Sequence, residues 1–252
     1  MVDIHCHILP GMDDGASDFK TAEQMLQTAA EDGIDTLICT PHYSPKAYRD
    51  CPRVLEKLAG SAKAAGIRLL PGMEYSFARL DAGIENLRPL GESSFVLIDL
   101  GVPNLPPSIE ELFFLLGRNN MQIIIAHPER YLTEVESALE LSRLGAFFQL
   151  NADSILGGNG PRCRRMAARL IRSGCCHYVA SDAHGRRRTF HLSRCRAHLE
   201  QRCGKAYAGT IMDTNPERLL KNLPPVSLRP EENGNWLLRL LKGRRPQRKA
   251  SV

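Results

Sequence analysis

Seven short apolar runs recur along this chain, each closing on polar side chains, and that rhythm restricts the fold more than any other feature. They read "VDIHCH", "DTLICTPH", "IRLLPGMEY", "FVLIDL", "QIIIAHPER", "AFFQLNAD" and "HYVASDAH". Most are continuous rather than alternating, as expected of parallel strands buried on both faces. Amphipathic stretches such as "SDFKTAEQMLQTAAEDG" and "SALELSRLG" separate most of them, with Ser17 placed to cap the first and Gly33 and Gly145 to close theirs. Repeated strand–helix units predict a parallel sheet or barrel. Only "SFARLDAGIENLRPLGESS" joins the third and fourth runs, which predicts a shorter, irregular crossover. Seven strands would make a barrel that departs from the usual eight.

The polar endings are, in chain order, His5 and His7, His42, Glu74, Asp99, His127, Asn151, then Asp182 and His184. In a (β/α) barrel the C-terminal strand ends converge on one face, where active sites are built. Alternate residues of a strand share a face, so His5 and His7 point together, and Asp182 and His184 repeat that spacing. Imidazoles and carboxylates converging from separate segments suit divalent metal ions. Asp3 shares the face of His5 and His7 and is expected to orient an imidazole. Asn151 either supports the cluster or caps a local turn. His177 begins its strand, so it belongs to the opposite face and is not a ligand. His191 and His198, seven apart on a helical stretch, read as a solvated face.

Composition and charge exclude several functions. The 252 residues are 43% hydrophobic and 24% charged, an ordinary globular balance. No apolar run nears the roughly 18 residues needed to span a bilayer. The start lacks a basic region followed by an apolar one, so a cytoplasmic location is expected. None of the eight cysteines forms a Cys-X-X-Cys pair, and reduced thiols are expected. Cys163 and Arg169 have the Cys-X5-Arg spacing of thiolate phosphatases. They lie in "PRCRRMAARLIRSG", which reads as helix already under way from Pro161, not as a phosphate-cradling loop.

The net charge of +5 sits entirely in residues 229–252, which hold seven Lys or Arg and two Glu; the rest balances at 26 against 26. A nucleic-acid partner is therefore not expected, because such domains carry a basic face on the fold. In the tail, Trp236, Leu237, Leu238, Leu240 and Leu241 precede five basic residues. This is either a last helix packed on the barrel or a weak, transient contact with an anionic membrane surface.

Together "DIHCH", "TPH", the glutamate after the third strand, "AHPER" and "SDAH" resemble the polymerase and histidinol phosphatase (PHP) superfamily. Within it, the "DDG" at Asp13, Asp14 and Gly15 and the "HPER" at His127 to Arg130 are most similar to the manganese-dependent protein tyrosine phosphatases of bacterial capsule biosynthesis. The resemblance runs over residues 1–223 and implies one α/β domain, a distorted (β/α)7 barrel with its metals at the C-terminal strand ends, followed by a basic tail, 224–252. It implies three divalent ions, manganese first and iron, cobalt or zinc as alternatives. His5, His7, Glu74 and Asp182 would hold the first; Glu74 would bridge to a second with Asp99 and His127; His42, Asp14 and His184 would hold the third. Asp99 stands where the branch commonly has glutamate.

Arg130 has the planar fork that suits a phosphoryl group. A second arginine is expected among Arg186, Arg187 and Arg188, with Arg187 taken as the phosphate contact. Arg130, Asp14 and His42 are the residues expected to act in catalysis. The implied activity is hydrolysis of phosphotyrosine in proteins, on a membrane-associated tyrosine kinase that regulates capsular or exopolysaccharide synthesis. Histidinol phosphate or another small phosphate ester is the alternative substrate, and a metal-stabilised scaffold for a membrane kinase is the non-enzyme alternative.

Overall fold

The computed structural model describes residues 1–82, 87–185 and 188–230. All seven apolar runs form strands, and every pairing is parallel. One sheet holds β1 (Val2–Cys6), β2 (Thr36–Cys39) and β3 (Arg68–Pro71) in that order. The other holds β4 (Glu74–Ser76), β5 (Phe95–Asp99), β6 (Gln122–Ala126), β7 (Phe147–Asn151) and β8 (Tyr178–Ala180). The third run accounts for both β3 and β4. It breaks at Gly72, where a Cβ would come within 2.8 Å of Ile38 Cγ2 and 3.0 Å of Thr40 Cγ2. Only glycine lets the backbone pass that close to a neighbouring strand.

Two short seams join the sheets into a closed, distorted barrel of seven staves. At one, Cys6 bridges Ala183, with His7 N–H donating to Ala183 O and Asp182 N–H to His5 O, both at 2.9 Å. At the other, His42 bridges Glu74, with Tyr43 N–H donating to Glu74 O at 2.8 Å and Glu74 N–H to Pro41 O at 3.1 Å. The barrel interior is layered. Its lower part is apolar, filled by Ile4, Ile38, Phe95, Leu97, Ile124 and Tyr178. Higher on the same strand faces the series continue as polar groups: Asp99 follows Leu97, and Gln149 and Asn151 follow Phe147. A register shift between Asp3 and Cys6 re-aims the end of β1, and His5 within it and His7 just after it are both buried.

Outside the barrel lie α1 (Phe19–Glu31), α2 (Pro45–Ala64), α3 (Ile109–Arg118), α4 (Val135–Arg143), α5 (Ala152–Leu156), α6 (Gly160–Arg172) and α7 (Leu192–Cys203). The chain ends its helical part with α8 (Lys205–Gly209), a π turn over Thr210–Thr214 and α9 (Asn215–Leu220). α1 buries Ala22, Met25, Leu26 and Ala29, the spacing of one helical face. Its cap is Asp18, not Ser17: Asp18 Oδ1 accepts from Thr21 N–H at 2.7 Å, a stronger, charged acceptor at the helix N-terminus. Gly33 and Gly145 close α1 and α4 with φ of +79° and +99°. The crossover after β4 begins with a 3-10 turn, Phe77–Ala82, and part of it lies outside the described residues. Cys163 lies within α6, with Pro161 in the first turn, and all eight cysteines are free.

His177 sits at the far end of the barrel. Its Nδ1 accepts from Phe148 N–H at 3.1 Å, and its Nε2 lies 3.1 Å from Ser227 Oγ. Burial lowers its pKa to about 4. His191 and His198 are not a solvated face. His191 precedes α7 and pairs with Asp153 at 2.8 Å, while His198 is half-buried beside Arg164 and Arg202. Residues after 223 remain attached to the barrel as far as they are described, since Val226 exchanges two hydrogen bonds with the Asn215 side chain. The apolar and basic tail segment from Trp236 to Lys249 lies outside the described residues. No described helix is long and apolar enough to cross a membrane.

Candidate metal centre

The C-terminal strand ends bring all nine expected ligands to one place. Glu74, at the start of β4 on the second seam, is its hub. Its Oε1 lies 2.9 Å from His127 Nε2, and its Oε2 lies 2.9 Å from His42 Nδ1, 3.3 Å from His7 Nε2 and 3.5 Å from His5 Nε2. Asp182 faces the cluster from the other side, with Oδ1 between 3.3 and 3.6 Å from His184 Nδ1, His7 Nε2 and His5 Nε2. Asp14 Oδ1 stands 3.4 Å from His42 Nε2 and 3.3 Å from His184 Nε2, and Asp99 Oδ1 is 3.9 Å from His127 Nδ1.

Four overlapping sets of donors, each within 4.8 Å of one another, result. They are His5, His7 and Glu74; Glu74, Asp99 and His127; His7, Asp14, His42 and His184; and His5, His127 and Asp182. His7 therefore stands with the third expected set as well as the first.

Neighbouring groups fix how the ligand atoms point. Gln149 Oε1 accepts from His5 Nδ1 at 2.9 Å, Gln149 Nε2 donates to Asn151 Oδ1 at 2.8 Å, and Asn151 Nδ2 donates to Asp182 Oδ2 at 2.7 Å. This relay holds His5 and Asp182 together and gives Asn151 a supporting role rather than a capping one. Asp13 Oδ2 accepts from His7 Nδ1 at 2.7 Å and from His42 N–H at 2.8 Å. His184 Nδ1 donates to the Asp182 carbonyl at 2.9 Å. Asp3 does not orient an imidazole. Its carboxylate accepts from the Ser181 hydroxyl and backbone, at 2.5 and 3.1 Å, and ties β1 to the end of β8.

With Nδ1 of His5 and His7 donating outward, each Nε2 points inward and offers a lone pair when it carries no proton. Those two nitrogens face each other at 3.1 Å, which needs a proton or a cation between them. Glu74 Oε2, His127 Nδ1 and His184 Nε2 are buried without any hydrogen bond. Burial disfavours a charged His7, yet the neighbouring Asp13 and Glu74 carboxylates outweigh it and raise its pKa to about 10. Burial would raise Asp13, but the His7 contact holds it at about 2. Burial and the charge of His7 push His184 down to about 4. Imidazoles and carboxylates crowded together, with several of their buried atoms left without a hydrogen bond, form a donor set that fits divalent metal ions.

The backbone is strained where it serves this site. Four described non-glycine residues have positive φ, Asn120, Asn222, His127 (+34°) and Asp182 (+53°), all of types enriched there, and the last two belong to the cluster. Such conformations cost on the order of 1–3 kcal/mol and persist where the surroundings impose them. Gly15 is needed for another reason, since a Cβ there would lie 2.0 Å from the His7 carbonyl oxygen.

Two guanidiniums reach the rim. Arg130 and Arg188 each donate from Nη1 to Asp182 Oδ2 at 3.0 Å. Asp182 thus gives one oxygen to the imidazoles and the other to amide and guanidinium donors. Arg187, the expected phosphate contact, lies outside the described residues, as does Arg186. Arg188 is the arginine of that run with a described place at the site.

The family model for capsular polysaccharide synthesis proteins CpsB and CapC matches residues 1–221. The chain belongs to the CpsB/CapC family. Its relatives in that family include the tyrosine-protein phosphatase YwqE of Bacillus subtilis, 34% identical over 88% of this chain and 92% of that protein. The CapC protein of Staphylococcus aureus is 31% identical over 89% of this chain and 95% of its own. A crystal structure from work on YwqE of Bacillus subtilis and CpsB of Streptococcus pneumoniae, described as metal-dependent tyrosine phosphatases, superposes with a TM-score of 0.80. It is 31% identical and covers 92% of this chain and 98% of that one. The phosphotriesterase of Mycobacterium tuberculosis shares the fold alone, at 12% identity and a TM-score of 0.56 over 90% of this chain and 94% of its own.

Proposed function

We propose that this CpsB/CapC chain is a metal-dependent protein tyrosine phosphatase. The observation that carries the proposal is the overlap of four donor sets at one barrel mouth, with Arg130 and Arg188 on its rim. We assign His5, His7, Glu74 and Asp182 to one ion, Glu74, Asp99 and His127 to a second, and Asp14, His42 and His184 to a third, with manganese as the native metal. Clustered divalent ions, when bound, supply positive charge to phosphoryl oxygens and acidify water.

The chain's own residues do the rest. Arg130 is partly exposed and presents its planar fork to a phosphoryl group, with Arg188 beside it. Arg187 remains the proposed companion on the phosphate. Asp14 and His42 are the exposed members of the cluster, at 67% and 47%, so they meet substrate and solvent and can pass a proton outward. A tyrosine phenol, with a pKa of about 10, leaves without a strong general acid more readily than an alkyl alcohol does.

The proposed domain is residues 1–223, and the proposed substrate is a phosphorylated tyrosine kinase at the inner membrane face, acted on from the cytoplasm. The direct test sets a phosphotyrosine peptide against histidinol phosphate with manganese present. The peptide is expected to be the better substrate, chelator to abolish turnover and Cys163→Ser to leave it unchanged. Activity that survives chelation but not Cys163→Ser would overturn the metal mechanism.

A further inference from the structure

The helix α6 carries Arg162, Arg165, Arg169 and Arg172 at intervals of three and four residues, which places them along one face. With Leu132, Thr133 and Met166 they line an open groove of about 380 Å³. Arg162, Arg165 and Arg169 are exposed. Among the described residues the arginines in ion pairs are Arg53, Arg130, Arg188 and Arg196, so Arg162, Arg165, Arg169 and Arg172 pair with no described carboxylate. Like charges at these spacings oppose helix formation, and a merely solvated face would be expected to intersperse acids. The concentration is local, because residues 1–228 as a whole carry 26 basic and 26 acidic side chains.

The groove is joined to the catalytic rim by its own arginine. Arg162 donates to the carbonyls of Arg130, Tyr131 and Leu132 at 2.8, 3.0 and 3.1 Å. The segment that carries Arg130 to the site is therefore held, through its backbone, by the head of the arginine row. Chain that continues from a phosphotyrosine at the rim has this groove as an adjoining basic surface.

We propose that the α6 groove docks an acidic segment of the protein substrate that flanks the phosphotyrosine, an inference that rests on the phosphatase function proposed above. Guanidinium forks match carboxylates in two-point hydrogen bonds, and the floor of Leu132 and Met166 accepts their methylene stems. No aromatic side chain lines the groove, so it lacks the stacking surface that single-stranded nucleic acid uses. A concave surface without protruding apolar side chains is also poorly shaped for a lipid interface.

The test compares metal-loaded wild type with an Arg165→Gln, Arg169→Gln double variant on three substrates: p-nitrophenyl phosphate, a phosphotyrosine peptide flanked by Asp and Glu, and the same peptide with Asn and Gln. Wild type is expected to favour the acidic peptide by about tenfold in kcat/KM at low salt, mainly through KM, and less as salt is raised. The variant is expected to lose that preference and to hydrolyse p-nitrophenyl phosphate at the wild-type rate. Equal use of both peptides by wild type, or a variant that keeps the preference, overturns the groove while leaving the phosphatase intact. Loss of binding to anionic vesicles or RNA without any change in peptide preference overturns it likewise. If no substrate is turned over, the phosphatase reading fails, and anisotropy of the labelled acidic peptide then decides. Binding that the double variant abolishes upholds the groove, and absence of binding to wild type overturns it.

Discussion

Replacing Gln149 by leucine probes the polar relay without touching any proposed ligand. Gln149 is fully buried, accepts from His5 Nδ1 at 2.9 Å and donates to Asn151 Oδ1 at 2.8 Å. Leucine has similar bulk but no polar atoms, so Gln149→Leu leaves the His5 N–H and the Asn151 oxygen buried and unpaired. Each unpaired group costs about 1–3 kcal/mol, which puts the expected loss of folding stability at about 2–6 kcal/mol. His5 also loses the contact that fixes its tautomer and ring orientation, and such losses typically weaken metal binding about 10- to 100-fold. The assay is competition for manganese against a chromogenic chelator, paired with thermal unfolding followed by circular dichroism. Gln149→Glu serves as the control: it still accepts from His5 but does not reproduce the amide donation to Asn151, so affinity should recover more than stability. A Gln149→Leu protein that binds manganese as tightly as wild type would refute the reasoning, because His5 would then be oriented by something other than Gln149.

Arg130→Ala should lower kcat/KM about 10- to 1000-fold at unchanged metal content, since roughly 1.4–4 kcal/mol of transition-state stabilisation is lost; parallel loss of metal by elemental analysis would instead make Arg130 structural. Gly15→Ala should fail to accumulate as soluble protein or unfold at a clearly lower Tm, because its methyl would sit 2.0 Å from the His7 carbonyl oxygen; a wild-type Tm would contradict that packing. His177 is neutral in the fold, with a pKa near 4 against 6.5 when exposed. Between those values the unfolded chain takes up a proton that the folded one refuses, so stability falls as pH drops, by about 1.4 kcal/mol per unit. His177→Gln should spare catalysis, lower stability at pH 7, and close its gap to wild type by about 1.6 kcal/mol between pH 6.5 and 5; urea unfolding at the two pH values measures this, and a constant gap would count against it.

The parallel strands and the clustered imidazoles and carboxylates were legible because both leave local marks. Buried parallel strands are apolar runs, and a barrel sends their C-terminal ends to one mouth, so reading the polar residues at each run's end picks out His5, His7, His42, Glu74, Asp99, His127, Asp182 and His184, which the fold gathers there. The same method passes over what lies inside a strand. Gln149 is a neutral amide in the middle of "AFFQLNAD", and its importance depends on His5, 144 positions away. Asp13 is masked by its neighbour Asp14, and only the closed loop shows that one orients His7 while the other faces His42 and His184. Asp3 was misjudged because strand parity places it under His5, whereas the register shift in β1 turns it toward Ser181. The break at Gly72 is a matter of distance to β2, which no local pattern records.

The two seams have a consequence for how the protein fails. Each sheet is held by ladders of several paired residues, but the sheets meet through one bridge at each seam, Cys6 to Ala183 and His42 to Glu74. His5, His7, Asp182 and His184 straddle the first joint, and His42 and Glu74 the second. Cations shared across those joints would act as rivets between two otherwise separate plates. Stripping them should loosen the hinges before either plate melts, so the amides of His7, Asp182, Tyr43 and Glu74 would exchange with solvent earlier than those of β5 and β6. Inactivation and loss of structure would then be separate events, the first a parting of plates that adding metal reverses.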